Sequence, residues 1–569
     1  MATLEELARK KFPDRPLSAA EERVVRNAPV GSVADCRGLG GGSDPEKAGG
    51  TGETPDEKWP ETRNVRAALI RWFCIDREAR EQVDPHGIQI RGARITGDLD
   101  LSFTNVPFSL ALFRCRLEQD LDLKWAKMPL LNLNGSRTGT IFADGLKLEG
   151  SLFLRNGFHA EGEVRLLGAT IGGDLAATGG TFKNPNGYAL FADGVRVTGS
   201  VFLTNGFSAE GTVRLLGATV GGDLTARGGK FKNPGGDALS AANINVHGNV
   251  FLLDKFVAEG KVRLLGAQIK GQLEIDDAWL DEVNLQSAHI TGSFFWQNIK
   301  RDHQDHKERH PDFPNKEWKP SLDLTNTKMG SLVDQETSWP EQGRLILDGF
   351  VYDRIVAGRT DLEAPTDARV PIDATARLRW LHLQPDELGY RPQPYEQLIA
   401  VLRRMGHEHQ VAEVAIAKQK DLRKHSRLGW WGKFRSWVLY HAVRYGYEPS
   451  RAFRWIGTVV FAGTLVFLLA RLLPVPVMVP SDKEAYWSDE KTELATPPHY
   501  YPQFNALVYS LDVIIPFDLG QKSHWRLHER GPWDFVYWIF EVYSLVQLFL
   551  GWVLLIVAAG VPAGFIKKD

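Results

Sequence analysis

The chain has 569 residues and a formal net charge of −2, so no global basic field argues for a nucleic-acid partner. Its length allows roughly three or four ordinary domains, or fewer if a solenoid spreads one core over many residues. Its three cysteines, Cys36, Cys74 and Cys115, are far apart, match neither a metal spacing nor a disulfide framework, and suit a reducing compartment.

The first residues, MATLEELARKKFPDRP, are polar and predict no cleaved signal. Residues 4–26 read as a short helix, and GLGGGSDPEKAGGTGETPDEKWP after it as a flexible tether. The glycines of that tether lack the flanking strand and helix of a phosphate cradle. Residues 62–83 look amphipathic, with Val65, Leu69, Trp72, Phe73 and Ile75 on the buried side, and are expected to cover the open first rung of a solenoid.

From Ile88 the period changes to short alternating strands. LEGSLFL at 148–154 returns as VTGSVFL at 197–203 and VHGNVFL at 246–252, each 49 residues on. The glycines before successive strands, Gly150, Gly173, Gly199, Gly222, Gly248 and Gly271, step by 23, 26, 23, 26 and 23. Such steps predict the coils of a parallel β-helix, with glycine at the corner and Leu, Val and Ile stacked inward. Coiling is expected to continue through 321–332 and 344–355, past an insertion near 298–320. No carboxylate pair recurs beside His or Lys, so the coil reads as a spacer or docking surface rather than an enzyme, and no cofactor is expected. The insertion holds His303, His306 and His310 at helical spacing, a weak metal candidate; surrounding Lys and Arg oppose a cation, and a solvated loop is the plainer reading.

Residues 393–424 predict a helical hairpin broken at Gly406–His407. Residues 430–445 mix Trp, Tyr and Phe with Lys and Arg, which predicts a helix in the headgroup layer, with Trp430, Trp431, Trp437 and Arg454 as interfacial residues. Residues 455–473 and about 535–560 are apolar over the length needed to span a bilayer. Between them FNALVYSLDVIIPFDLGQ, 504–521, predicts a helix of about a dozen residues, too short to span, stopped by Pro516 and followed by irregular backbone. That stretch either lines something wet or lies outside the bilayer as a surface helix. Lys and Arg cluster before the first span and after the second, which predicts a cytoplasmic solenoid with both termini inside. The domains are therefore 1–86 (N-terminal helices, tether and cap), 87–385 (β-helix), 386–450 (hairpin and interfacial helix) and 451–569 (membrane module).

GIQIRGARITGDLDLS at 87–102, PQPYEQLIAVLRRMGHE at 392–408, YGYEPSRAF at 445–453 and the 504–521 stretch resemble bacterial, especially actinobacterial, membrane proteins with an N-terminal β-helix and a C-terminal two-span module. Members are often labelled membrane-associated oxidoreductases, yet this sequence has no dinucleotide fingerprint, haem-attachment motif or redox cysteine pair. The order span, short helix, irregular loop, span also resembles two-span pore-loop channels. Their potassium filter is replaced here by Ile515-Pro516-Phe517-Asp518-Leu519-Gly520. The resemblance implies an oligomer, most simply four copies in the bacterial cytoplasmic membrane, passing inorganic cations. Asp518 would form a carboxylate ring at the mouth and Asp512 would sit behind it; capping and turn residues are the alternative for both. Glu541 either pairs with Arg526 or Arg530 or snorkels, Gln547 is an intramembrane polar residue, and Gly551 is a hinge or a close-packing site. A non-conducting anchor whose β-helix binds an unidentified cytoplasmic ligand or protein is the runner-up, and a membrane-associated enzyme comes third.

Overall fold

Short strands with apolar residues at alternate positions bury one face, and parallel stacking sets like residues over like. The computed structural model describes residues 2–39, 59–301, 311–312, 316–356, 372–425, 429–448, 450–473, 477–482, 499–528 and 534–560. It forms a parallel β-solenoid of about 11 turns with about 23 residues per coil. In one inward column Ile88, Leu110, Leu131, Leu152, Leu175, Val201, Leu224, Val250, Leu273, Phe294, Leu332 and Ile355 pair rung to rung. Each is at most 2% exposed. A second column is aromatic: Phe158, Phe182, Phe207, Phe231 and Phe256 stack with ring centroids 5.1–5.4 Å apart. Tilted stacking at this distance adds to the burial energy of each ring.

The 49-residue sequence unit is two coils. Val197 pairs with Val220, 23 residues on, and Val220 with Val246, 26 on. The longer coils carry bulges at 184–187 and 233–236, where the register shifts. The glycines just before two of the corner positions are sterically required: a Cβ on Gly172 would lie 2.0 Å from the Glu149 carbonyl oxygen, and one on Gly221 2.1 Å from that of Thr198. Beside them runs a polar ladder. Ser151 Oγ accepts from Asp174 N, Asp174 Oδ1 from Ser200 N, Ser200 Oγ from Asp223 N, and Asp223 Oδ1 from Asn249 N, at 2.7–3.1 Å.

Each coil leans only on its neighbours, so deleting residues 197–245 removes two whole coils and rejoins Arg196 to Val246 in register. That variant should melt within a few degrees of the parent. Deleting 197–208, about half a coil, should misplace every inward residue after it and lower the melting midpoint by more than ~10 °C. Equal midpoints for the two deletions would contradict the coil assignment.

Both solenoid ends are covered. At the start, α1 (Leu4–Lys11) and α2 (Ala19–Asn27) each begin with a reciprocal capping box, Thr3 with Glu6 and Ser18 with Glu21. The expected single helix over 4–26 is divided at Pro13 and Pro16, which cannot continue a helix. Glu21, 2% exposed, also takes Nε and Nη2 of Arg66 at 2.7 and 2.8 Å. Residues 62–83 likewise do not form one helix: Asn64–Arg66 joins the first rung as a strand, α3 (Ala67–Ile75) buries Leu69, Ile70, Trp72 and Phe73, and Asp76 caps α4 (Arg77–Arg80). Edge pairing with Arg94–Thr96 satisfies backbone groups that the first rung would otherwise leave open.

At the far end α5 (Ala374–Leu381) closes the last coils through Arg377, whose side chain is fully buried. Its Nη1 and Nη2 reach Asp334 Oδ2 and Oδ1 at 2.8 and 2.6 Å, and Trp339 Nε1 donates to the same carboxylate at 2.7 Å. The Trp339 and Trp380 rings lie 5.7 and 5.3 Å from the guanidinium carbon. The helices α6 (Gln393–Arg404) and α7 (Glu408–His425) follow, separated at Gly406, whose φ is +82°.

The chain forms two compact units, 1–411 and 412–569. The second contains most of α7, then α8 (Trp430–Val443), α9 (Ser450–Leu472), α10 (Ala506–Ile514), α11 (Gln521–His524) and α12 (Asp534–Gly560). The antiparallel pair Met478–Pro480 with Trp525–Leu527 ties the connections together. Residues Ala442, Val443, Ala452 and Ala558 join α8, α9 and α12. Arg444 and Tyr445 turn the chain with φ of +46° and +55°, and Glu448 holds Arg444 and Arg451 across that turn, each at 2.6 Å.

Candidate functional site

Two helices, Ser450–Leu472 of 23 residues and Phe535–Ala559 of 25 within α12, are long and apolar enough to cross a membrane. Their outward faces, with Phe461, Leu465, Leu469, Leu545, Phe549 and Ile556 among them, are exposed in the single chain. A core helix of a soluble protein would bury such a face, so this surface suits lipid or other copies.

The short α10 wedges between these two helices. Gly463 makes room for it on α9: a Cβ there would lie 2.3 Å from Ser510 Oγ. Gly551 does the same on α12, where a Cβ would lie 2.5 Å from Ile514 Cγ2. Of the two roles open to Gly551, hinge or close contact, the geometry displays the contact. Ser510 Oγ donates to the Val460 carbonyl at 2.8 Å, and Gln547 Nε2 donates to Ser510 Oγ and O at 2.8 and 3.1 Å. Ser510 and Gln547 are buried, so one polar knot links all three helices at apolar depth. Phe467 packs edge-on against Tyr509 and Tyr543, completing the junction.

The loop after α10 is built by its own side chains. Asn505 caps the helix, its Oδ1 accepting from Leu507 N and Val508 N at 3.0 and 3.2 Å. The cap starts α10 two residues later than the apolar stripe from Phe504 suggested. Ile515 leaves helical geometry immediately before Pro516. Asp512, 1% exposed, accepts from the backbone of Leu519, Gln521 and Lys522 at 3.0, 3.0 and 2.7 Å. It therefore anchors the loop from inside. Gln521 closes the base, accepting from Asn505 N at 2.9 Å and donating to the Gln503 carbonyl at 3.2 Å. Held this way, Pro516, Phe517, Asp518 and Leu519 are exposed, Phe517 at 73%. One oxygen of Asp518 accepts from Gly520 N at 2.7 Å, and Gly520 adopts φ +91°. The Asp518 side chain is otherwise exposed.

Of the other residues singled out in the sequence, Glu541 lies exposed on α12, and the described residues give it no ion-pair partner. Arg530 lies outside the described residues, as do His303, His306 and His310. Trp430, Trp431 and Trp437 project from α8 with more than half of each exposed, and Arg454 is exposed near the start of α9. Sequence reasoning passed over Asn505, Ser510, Gln521 and Gly463. An Asn directly before an apolar run and a Gly inside a span were the available signals.

All three thiols are buried, and burial pushes Cys36 up to about 11 and Cys74 and Cys115 up to about 12, which keeps them protonated and poor nucleophiles. Among the described residues no three His, Cys, Asp or Glu side chains group as metal ligands. The chain matches no protein-family model, no curated protein and no solved structure.

Proposed function

We propose that this is a two-span membrane protein whose copies assemble around an axis into a cation-conducting pore, with the β-solenoid on the cytoplasmic side as a sensing, docking or assembly domain. One chain has too few spans to enclose a pathway, so several copies are required, four by the likeness to pore-loop channels. The observation that supports this reading most is the loop 515–520: a short helix wedged between two spans ends in a rigid turn that presents the exposed Asp518. The exposed tryptophans of α8 suit a headgroup layer, and the basic residues before α9 favour a cytoplasmic position for that side. The absence of a potassium filter sequence leaves ion choice to the carboxylate ring. The second reading, a non-conducting anchor, is favoured by Asp512, whose full set of backbone partners is also what a purely structural turn would show.

Topology and assembly test the framework. The native cysteines are at most 2% exposed and give little background labelling. Tyr500→Cys, in the connection between the spans, should react with an impermeant maleimide in intact cells. Lys183→Cys on the solenoid should react only after lysis. The purified protein in detergent should have the mass of several copies. Labelling of Lys183→Cys in intact cells would contradict the cytoplasmic solenoid, and a monomer would contradict the pore.

A further inference from the structure

A cavity of about 510 Å³ opens on the last coils of the solenoid, where strands containing Ser293, Ser331 and Arg354 meet the end of α6 at Arg404. The strand register shifts between Ile290 and Ser293, and Gly292 and Gly330, neighbours on adjacent rungs there, line the cavity. Ser331 and Arg354 are register partners on adjacent rungs. Arg354 Nε donates to Ser331 Oγ at 3.0 Å, which fixes the plane of the guanidinium. Among the described residues no acceptor takes its terminal N–H groups. Arg404 is placed beside it by Asp353, whose carbonyl and carboxylate each accept from Nη1 at 3.0 Å. Two guanidinium groups against one carboxylate leave the cavity with net positive charge.

A guanidinium held at Nε presents its two terminal nitrogens as a planar fork, the arrangement that takes two oxygens of one oxyanion. The volume exceeds that of the anion alone and falls in the range of small-molecule sites. We propose that this cavity binds a small phosphorylated metabolite, its phosphate on Arg354 with Arg404 as second cation and the rest of the molecule over Gly292 and Gly330. Arg404 is the last residue of α6, two residues before Gly406, so occupancy bears directly on the segment that leads toward the membrane helices. That regulatory use rests on the pore reading; the binding does not.

The test is calorimetric titration of the full-length protein in detergent with inorganic pyrophosphate, and with acetate as the control anion. Saturable binding of one pyrophosphate per chain is expected. Arg354→Gln and Arg404→Gln should each weaken it by about tenfold or more, the loss of a charge-assisted contact, with melting midpoints close to the parent's. No saturable binding, equal affinity for acetate, or unchanged affinity in Arg354→Gln would overturn the proposal. A protein that binds pyrophosphate yet passes no current would count against the pore alone, and one that conducts without binding would count against this site alone.

Discussion

Replacing Arg377 with methionine should destabilise the solenoid unit by about 3–5 kcal/mol, the cost of leaving a buried charge without its partner. Arg377 and Asp334 have side chains 0% and 3% exposed, and the pair is bidentate. With the guanidinium gone, Asp334 would retain, among the described residues, the Trp339 indole N–H at 2.7 Å against desolvation. The Trp339 and Trp380 rings would also lose the cation that lies against both. Buried Tyr352, whose phenol is pushed up chiefly by burial, stays neutral beside the pair and adds no second negative charge next to Asp334. The melting midpoint and protease resistance of residues 374–381 should both fall. The double variant Arg377→Met, Asp334→Leu should recover most of the loss, because two apolar groups of similar volume remove the unpaired charge. If Arg377→Met melts with the parent, this pair does not close the solenoid.

The solenoid was legible because its signals repeat. Glycine steps of 23 and 26 residues and the echo at 49 carry coil length directly, and the two-coil content of the unit follows once Val197, Val220 and Val246 stack. Repetition also explains what escaped notice. Each phenylalanine of the buried ladder sits just after a turn, where one apolar residue looks incidental until rungs are superposed. Arg377 carries no local signal at all, since its partner lies 43 residues earlier, at the end of a solenoid strand. Helix limits near the ends were misjudged where edge pairing or proline overrode an amphipathic pattern, as at Asn64–Arg66. In the second unit the two long apolar helices and the short helix between them could be read from apolar spacing. The work done by Asp512 could not, because its three donors follow seven to ten residues later in a chain that folds back on itself. Asp518 was legible only as a residue type after a proline; its exposure is a property of the turn.

On the pore reading, loss of current is the largest effect expected in the second unit, and Asp518 is where it should be produced. The C-terminal carbonyls of α10 are the negative end of its dipole, and Asp518 adds a formal charge four residues beyond Ile514. Repeated around an axis, both lower the energy of a cation. Asp518→Asn keeps the turn, since an Asn side chain can also accept from the backbone two residues on, and should weaken cation selectivity while sparing assembly. Asp518→Lys reverses the ring. A like charge at ~4 Å costs a cation ~1 kcal/mol even in bulk water, and several copies multiply it, so conductance should fall by tenfold or more.

The decisive measurement is therefore current through planar bilayers containing the purified protein, recorded under a salt gradient for the parent and Asp518→Lys. The pore reading predicts a cation-selective current in the parent that is abolished or nearly so in Asp518→Lys, with the mass of the assembly unchanged. No current from the parent over a wide range of voltage and pH, or a Asp518→Lys current equal to the parent's in size and selectivity, would contradict it.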